Sequence, residues 1–255
     1  MPRFCANITM MFNEVTFLAR FARAARAGFT GVEFMFPYAY PAAQLAELAQ
    51  QHDLEVVLHN LPPGDWAAGE RGIAALPDRV NEFQATVGQA IEYASALGCT
   101  RLNCLAGVPP ANVRAEVAQQ TFVDNLRFAA AAAKAAGVRL LSEPINNRDM
   151  PGFFLNNSAQ ALALFDEAGA DNLWLQYDIY HMQIMEGDIA RTIERALPRI
   201  AHMQFADNPG RHEPGTGEIN YPFLFEHVDR LGYDGWMGAE YRPLGTTESS
   251  LGWME

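Results

Sequence analysis

NLWLQYD (172–178) is a run of strand-forming residues that ends on a carboxylate and gives way to a helical pattern. Three other runs behave alike. VRLLSE (138–143) stops at Glu143, IAHMQFA (200–206) carries Gln204 near its end, and GWMGAE (235–240) stops at Glu240. The two-residue period of a strand puts Gln176 and Asp178 on one face, and likewise His202 and Gln204. A barrel lumen is normally filled by branched apolar side chains, so polar residues repeated on an inward face are unexpected as filler. Parallel barrel strands all end on the same side, so the four terminal oxygen donors are expected to meet in one small pocket.

Outward from that segment, strand and helix patterns alternate along the whole chain. Strands are expected near 4–9, 31–36, 54–60, 100–105, 138–143, 172–178, 200–206 and 235–240. Helices are expected at 14–27, 41–51, 78–97, 112–136, 158–168, 187–196 and 221–231, with a short one near 246–253. This alternation predicts an α/β fold, a single (β/α)8 TIM barrel forming one domain over residues 1–255. A doubly wound open sheet usually carries a glycine-rich phosphate turn after its first strand. Here the first strand runs into NITMMFNE instead. Gly28, Gly98, Gly137, Gly169 and Gly232 follow amphipathic runs as left-handed helix ends do, and Asn13-Glu14 and Asn157-Ser158 read as helix starts. Two connections are long, 61–77 (LPPGDWAAGERGIAALP) and 207–218 (DNPGRHEPGTGE). Both follow strands and so belong on the face where barrel sites form. Trp66 marks the first as a lid that folds onto something.

The chain has 255 residues, 49% of them hydrophobic, and a formal net charge of −12. That balance argues against nucleic-acid or anionic-membrane partners. It leaves room for a small acidic substrate, because a local cation reverses the field inside one pocket. No uncharged apolar stretch is long enough to span a membrane, and the N-terminus lacks a signal-peptide core, so a cytoplasmic protein is expected. Cys5, Cys99 and Cys104 form no CxxC motif and read as buried free thiols.

Taken singly, each site residue has an ordinary explanation. A strand-end Glu is commonly a loop or cap residue, Asp178 a turn cap, Gln204 a bonded core amide and His181 a structural histidine. Their occurrence at one level of four strands favours function. Three carboxylates in one pocket repel each other unless a cation or shared proton neutralises them. An all-oxygen set of Glu143, Asp178, Gln204 and Glu240 suits Mg²⁺ or Mn²⁺ better than Zn²⁺, and no organic cofactor is expected. Such a metal would clamp vicinal carbonyl and hydroxyl oxygens. Glu143 and Glu240, on opposite sides, would each move a proton. The implied chemistry is aldose–ketose isomerisation or epimerisation of a three- or four-carbon substrate.

At these residues the chain resembles the hydroxypyruvate isomerase family, within the xylose-isomerase-like TIM-barrel superfamily. The resemblance runs through RFCANITMMF, GVEFMFPY, LHNLPPGDWAAGERGIA, LNCLAG, EPIN, QYDIYHMQ, DNPGRHEPGTGEINY and GWMGAEYRP. It implies conversion of hydroxypyruvate to tartronate semialdehyde (2-hydroxy-3-oxopropanoate), with Glu143 and Glu240 as acid/base carboxylates. In related sugar epimerases the matching positions also bind metal, together with those of Asp178 and Gln204. Those epimerases typically carry histidine where this chain has Gln204. The resemblance also implies that His181 and Arg211 meet substrate oxygens. A hydroxy-oxo acid needs a positive or donor-rich corner, for which Arg71, Arg211, Arg242, His59 and Asn60 are candidates. A 2-oxo-tetronate isomerase is the nearest alternative, followed by a neutral ketose 3-epimerase. A metal-dependent phosphodiesterase and a non-catalytic binding barrel rank lower. Oligomerisation is possible, and an exposed Trp253 would hint at a contact.

Overall fold

The computed structural model describes residues 2–254. Eight strands close into a parallel barrel in chain order: β1 (Arg3–Asn7), β2 (Gly31–Phe34), β3 (Glu55–Asn60), β4 (Arg101–Asn103), β5 (Arg139–Ser142), β6 (Leu173–Asp178), β7 (Ile200–Phe205) and β8 (Trp236–Ala239). β8 returns to pair with β1, so no sheet edge is left open. The outer helices are α1 (Arg20–Arg26), α2 (Ala42–Gln51), α3 (Val80–Leu97), α4 (Ala115–Ala135), α5 (Ser158–Ala168), α6 (Ile179–Met185), α7 (Ile189–Ala196) and α8 (Tyr221–Arg230). In α4 the buried positions Ala118, Phe122, Val123, Leu126, Ala129, Ala130 and Ala133 recur at helical spacing and make one stripe against the sheet. No described helix is long and apolar enough to cross a membrane.

All eight expected strands are present, each shorter than expected by one to three residues, β4 most of all. The first helix differs. Residues 17–19 form a 3₁₀ turn and α1 starts only at Arg20, so Asn13-Glu14 does not open it. Instead the Glu14 carboxylate accepts bonds from the Thr247 N–H and hydroxyl, tying the first loop to the last. Asn157 does cap α5, its side chain accepting from the Gln160 N–H. The five glycines expected at helix ends all have positive φ. Helix α6 was not expected. Asp178 ends β6 and caps α6 in one step, accepting the Tyr180 N–H at 2.8 Å. Trp253 is not an exposed contact residue: it packs edge-on against Phe4 and Phe205 and donates its indole N–H to the Tyr241 hydroxyl. The three cysteines are free and buried.

Two features of the sheet govern the lumen. Register places Asp178 beside Gln204, Gln204 beside Gly238, and Gly238 beside Cys5. The ladder is irregular between Val32 and Glu33 and between Leu175 and Gln176. Such irregularities re-aim side chains, and here they fall at two polar residues that turn inward. Glu33 then lies across Gly238, where an added Cβ would stand 2.5 Å from both carboxylate oxygens. Gly238 is thus required by close approach rather than by its backbone angles. Gly238→Ala should destabilise the fold by roughly 1–3 kcal/mol through overpacking. Urea denaturation measures this, and an unchanged midpoint would mean that Glu33 does not occupy that space.

Candidate active site

The C-terminal ends of the strands enclose a cavity of about 240 Å³, lined by Asn7, Glu143, Gln176, His181, Gln204, Arg211 and Glu240 among polar groups and by Met10, Trp66, Leu105 and Met150 among apolar ones. Glu143 and Glu240 directly follow β5 and β8, and Asp178 ends β6. All three are buried, with side chains no more than 6% exposed. Ligand-type atoms of Glu143, Asp178, His181 and Glu240 all lie within 4.8 Å of one another. Glu143 and Glu240 therefore face each other across a space fit for a cation or a shared proton.

Each carboxylate is held by neighbours from other strands. Glu143 Oε2 accepts from Asn103 Nδ2 at 3.2 Å and from Gln176 Nε2 at 3.0 Å. Glu240 Oε1 accepts from Asn7 Nδ2 at 2.9 Å, and Glu240 Oε2 accepts from Arg211. Asp178 Oδ1 caps α6, while Asp178 Oδ2 is buried with no hydrogen-bond partner. His181 Nε2 stands 3.7 Å from Glu143 and 3.5 Å from Asp178. Asn146 fixes that ring: its Oδ1 accepts the Arg148 and Asp149 N–H groups, so its Nδ2 faces His181 Nδ1 at 2.6 Å. An amide donor at Nδ1 leaves the proton on Nε2, and His181 presents a hydrogen-bond donor to the cavity.

Beneath lies a second polar layer. Glu33 is fully buried, and its Oε2 accepts from His202 Nε2 at 2.6 Å and from the Cys5 thiol. Its Oε1 accepts from Gln204 Nε2 at 2.6 Å and Asn7 Nδ2 at 3.0 Å. Gln204 Oε1 in turn accepts from Gln176 Nε2. The group of Cys5, Glu33 and His202 has metal-ligand character but is closed by these hydrogen bonds.

Arg211 comes from the loop 207–218. Asp207 organises that loop, its two oxygens accepting the N–H groups of Asn208, Gly215, Gly217 and Ile219. Arg211 has φ +59° and aims inward to Glu240, with Asp178 at 3.7 Å. Arg71 stacks on Trp66 at 4.1 Å and donates to two loop carbonyls. With Arg148, Arg211 and Arg242 it lines a wider vestibule above the cavity. His59 is placed elsewhere. β3 turns Leu58 and Asn60 toward the cavity, and His59 faces Phe34 and Tyr38 instead.

Sequence reasoning missed Glu33, Asn7, Asn103 and Asn146. Glu33 did leave a signal: a charged residue in the middle of the apolar run GVEFMF.

Electrostatics separate the layers. Burial raises the pKa of Glu143 well above the ordinary carboxylate range, with repulsion from Glu240 and Asp178 adding to it and Arg211 opposing. Burial likewise raises Glu240 to about 8 and Asp178 to about 6 against the pull of Arg211. Burial and Arg211 push His181 well down, keeping it neutral. Glu33 goes the other way. Burial alone would raise it, but His202, Gln204 and Asn7 outweigh that and hold it ionised.

The pattern of the family described as xylose isomerase-like TIM barrel matches residues 21–255, and the chain belongs to that family. Its relatives narrow this further. It is 52% identical to the 2-oxo-tetronate isomerase of Cupriavidus necator, covering 100% of this chain and 98% of that one. It is also 52% identical to the hydroxypyruvate isomerase of Escherichia coli, covering 100% and 99%. These full-length matches place it in the hydroxypyruvate isomerase group, among isomerases. A crystal structure from Brucella melitensis titled AP endonuclease, family 2, superposes with a TM-score of 0.97 at 47% identity, covering 100% of this chain and 98% of that one.

The raised carboxyl of Glu240 predicts a stability trend. Its folded pKa lies above the ordinary 4.5, so the stability it contributes is complete below that value and is lost as pH rises through about 8. Metal-free protein should therefore lose stability relative to Glu240→Gln between about pH 5 and about pH 9, by on the order of 1–4 kcal/mol. Urea titrations of both proteins across that range test it, and a difference that is flat or of opposite slope contradicts it.

Proposed function

We propose that this protein interconverts hydroxypyruvate and tartronate semialdehyde through an enediol. The observation that carries the reading is the convergence of three buried carboxylates of raised proton affinity beneath an arginine-lined mouth. An ionised carboxylate takes a proton from the hydroxymethyl carbon C3, and the enediol forms across C2 and C3. A carboxyl on the other side returns a proton to C2, while the proton on O3 passes to O2. Glu143 and Glu240 are this pair and exchange roles in the reverse direction. His181 donates its Nε2–H to a substrate oxygen, and Arg211 balances charge at Glu240. Arg71 and Arg242 receive the substrate carboxylate at the mouth. His59, on the far side of its strand, is left out of this set.

A hard divalent cation, Mg²⁺ or Mn²⁺, fits the chamber. Asp178 Oδ2 lacks a hydrogen-bond partner, and three carboxylates share the chamber. Glu143, Asp178, Gln204 and Glu240 would hold it, and when bound it supplies polarisation of the substrate's two vicinal oxygens. The net charge of −12 speaks for a small-molecule substrate over nucleic acid.

Proton NMR of hydroxypyruvate in D₂O should show the aldehyde product together with deuterium entering at carbon. Glu143→Gln and Glu240→Gln should each lower kcat by roughly 10²–10⁴-fold with the fold intact. Near-normal turnover in either variant removes that residue from the proton path. Chelation should abolish activity and Mn²⁺ should restore it, whereas full activity after verified metal removal would leave the carboxylates acting alone. A second reading is a four-carbon 2-oxo acid, favoured by equal identity to the Cupriavidus necator relative. The ratio of kcat/KM on the two acids decides between them.

A further inference from the structure

We infer that Glu33 is a positioning residue whose carboxylate, under the chamber, sets the orientation of the Asn7 and Gln204 amides and through them holds Glu240 and Glu143. Glu33 meets its neighbours as an acceptor, with Cys5 and His202 already donating to Oε2. Asn7 and Gln204 must therefore turn their NH₂ groups toward Glu33 Oε1. That choice fixes everything above it. Asn7 Nδ2 has two hydrogens and spends one on Glu33 Oε1 and the other on Glu240 Oε1. Asn7 Oδ1 is locked by the N–H groups of Thr9 and Met10. Gln204, with its NH₂ drawn to Glu33, points its carbonyl oxygen at Gln176, which binds Glu143 Oε2 through the same NH₂ group. Two amide chains thus rise from one oxygen of Glu33, one to each glutamate.

His202 takes the other oxygen of Glu33. Its Nε2 meets Glu33 Oε2, so the proton sits on Nε2, and its buried Nδ1 has no partner. Replacing Glu33 by an amide would preserve the scheme. The amide oxygen can take the place of Oε1, provided the amide nitrogen faces a His202 that has moved its proton to Nδ1. Replacing Glu33 by Met keeps the volume but removes the acceptor, and both amides are free to rotate.

The activity arm of the test rests on the proposed isomerase reading; the binding and spectroscopic arms do not. Glu33→Met and Glu33→Gln would be compared with wild type by Mn²⁺ calorimetry, hydroxypyruvate kinetics and ¹⁵N NMR of His202. Glu33→Met is expected to weaken Mn²⁺ binding and to lower kcat about 10–100-fold, the usual cost of losing a supporting hydrogen-bond partner. KM should move less than about threefold, because ground-state binding is not altered. Glu33→Gln is expected to stay within about threefold of wild type in all three quantities, with His202 switched to the Nδ1–H tautomer. A merely structural Glu33 would lower the unfolding midpoint without this split or this rescue. Wild-type Mn²⁺ affinity and kcat in Glu33→Met would overturn the inference. So would equal losses in both variants, or an unchanged His202 tautomer in Glu33→Gln. If Glu33→Met does not fold, the tautomer readout decides. If wild type fails to turn over hydroxypyruvate, the isomerase reading falls and calorimetry and NMR still decide the role of Glu33.

Discussion

One ionised side chain, Glu33, sits at the centre of the barrel with no solvent access, and the surrounding lumen is arranged to receive its charge. Burying a lone carboxylate costs several kcal/mol unless its oxygens are bonded. Four donors reach it: Cys5 and Asn7 from β1, and His202 and Gln204 from β7. It reaches them only because the ladder shifts at Glu33 and because Gly238 has no side chain to obstruct it. The polar lumen is thus a hydrogen-bond network centred on Glu33, a departure from the apolar filling usual in such barrels.

The layer above has the opposite character. Glu143, Asp178 and Glu240 are buried too but face one another, and among the described residues Arg211 brings the fixed positive charge in contact with them. The same burial that Glu33 survives through donors here raises proton affinity. Satisfied charge below and unsatisfied charge above divide scaffold from chemistry. Groups in the upper layer can change protonation at neutral pH, while Glu33 stays ionised and keeps the amides oriented.

What was legible in the sequence follows from this division. Strand ends at Glu143, Asp178 and Glu240 were readable because each interrupts an apolar run, and chain order places them on one rim. Helix α6 was not. It spans only seven residues, and its cap, Asp178, already served as a strand end. Glu33 was visible as an anomaly, but the two-residue period could not say which way it points, since the ladder shifts immediately before it. The neighbouring pair His59 and Asn60 posed a similar choice. One must face the helices, and parity alone does not tell which until the barrel closes and Asn60 lines the cavity. The partners that orient the site, Asn7, Asn103 and Asn146, are short amides with no sequence signature. Their roles exist only through contacts across the barrel.

Selectivity under the proposed reading must come from the mouth and not from the floor. Substrates that share a hydroxy-oxo pair present the same reacting atoms to the carboxylates and differ only beyond them. There the cavity offers Met10, Trp66, Leu105 and Met150, apolar surfaces that separate ligands differing by one carbon by only about 1–3 kcal/mol. Stronger discrimination needs a fixed donor for the distal end. Arg71 is the one mouth arginine held by both a stacking contact and carbonyl bonds, so its guanidinium is ordered before substrate arrives. Its distance from the reacting carbons, set by the Trp66 loop, then fixes the length of acid that places a carboxylate against it. A few substitutions in that loop can therefore retune chain length while leaving the two polar layers, and the proton chemistry they support, untouched.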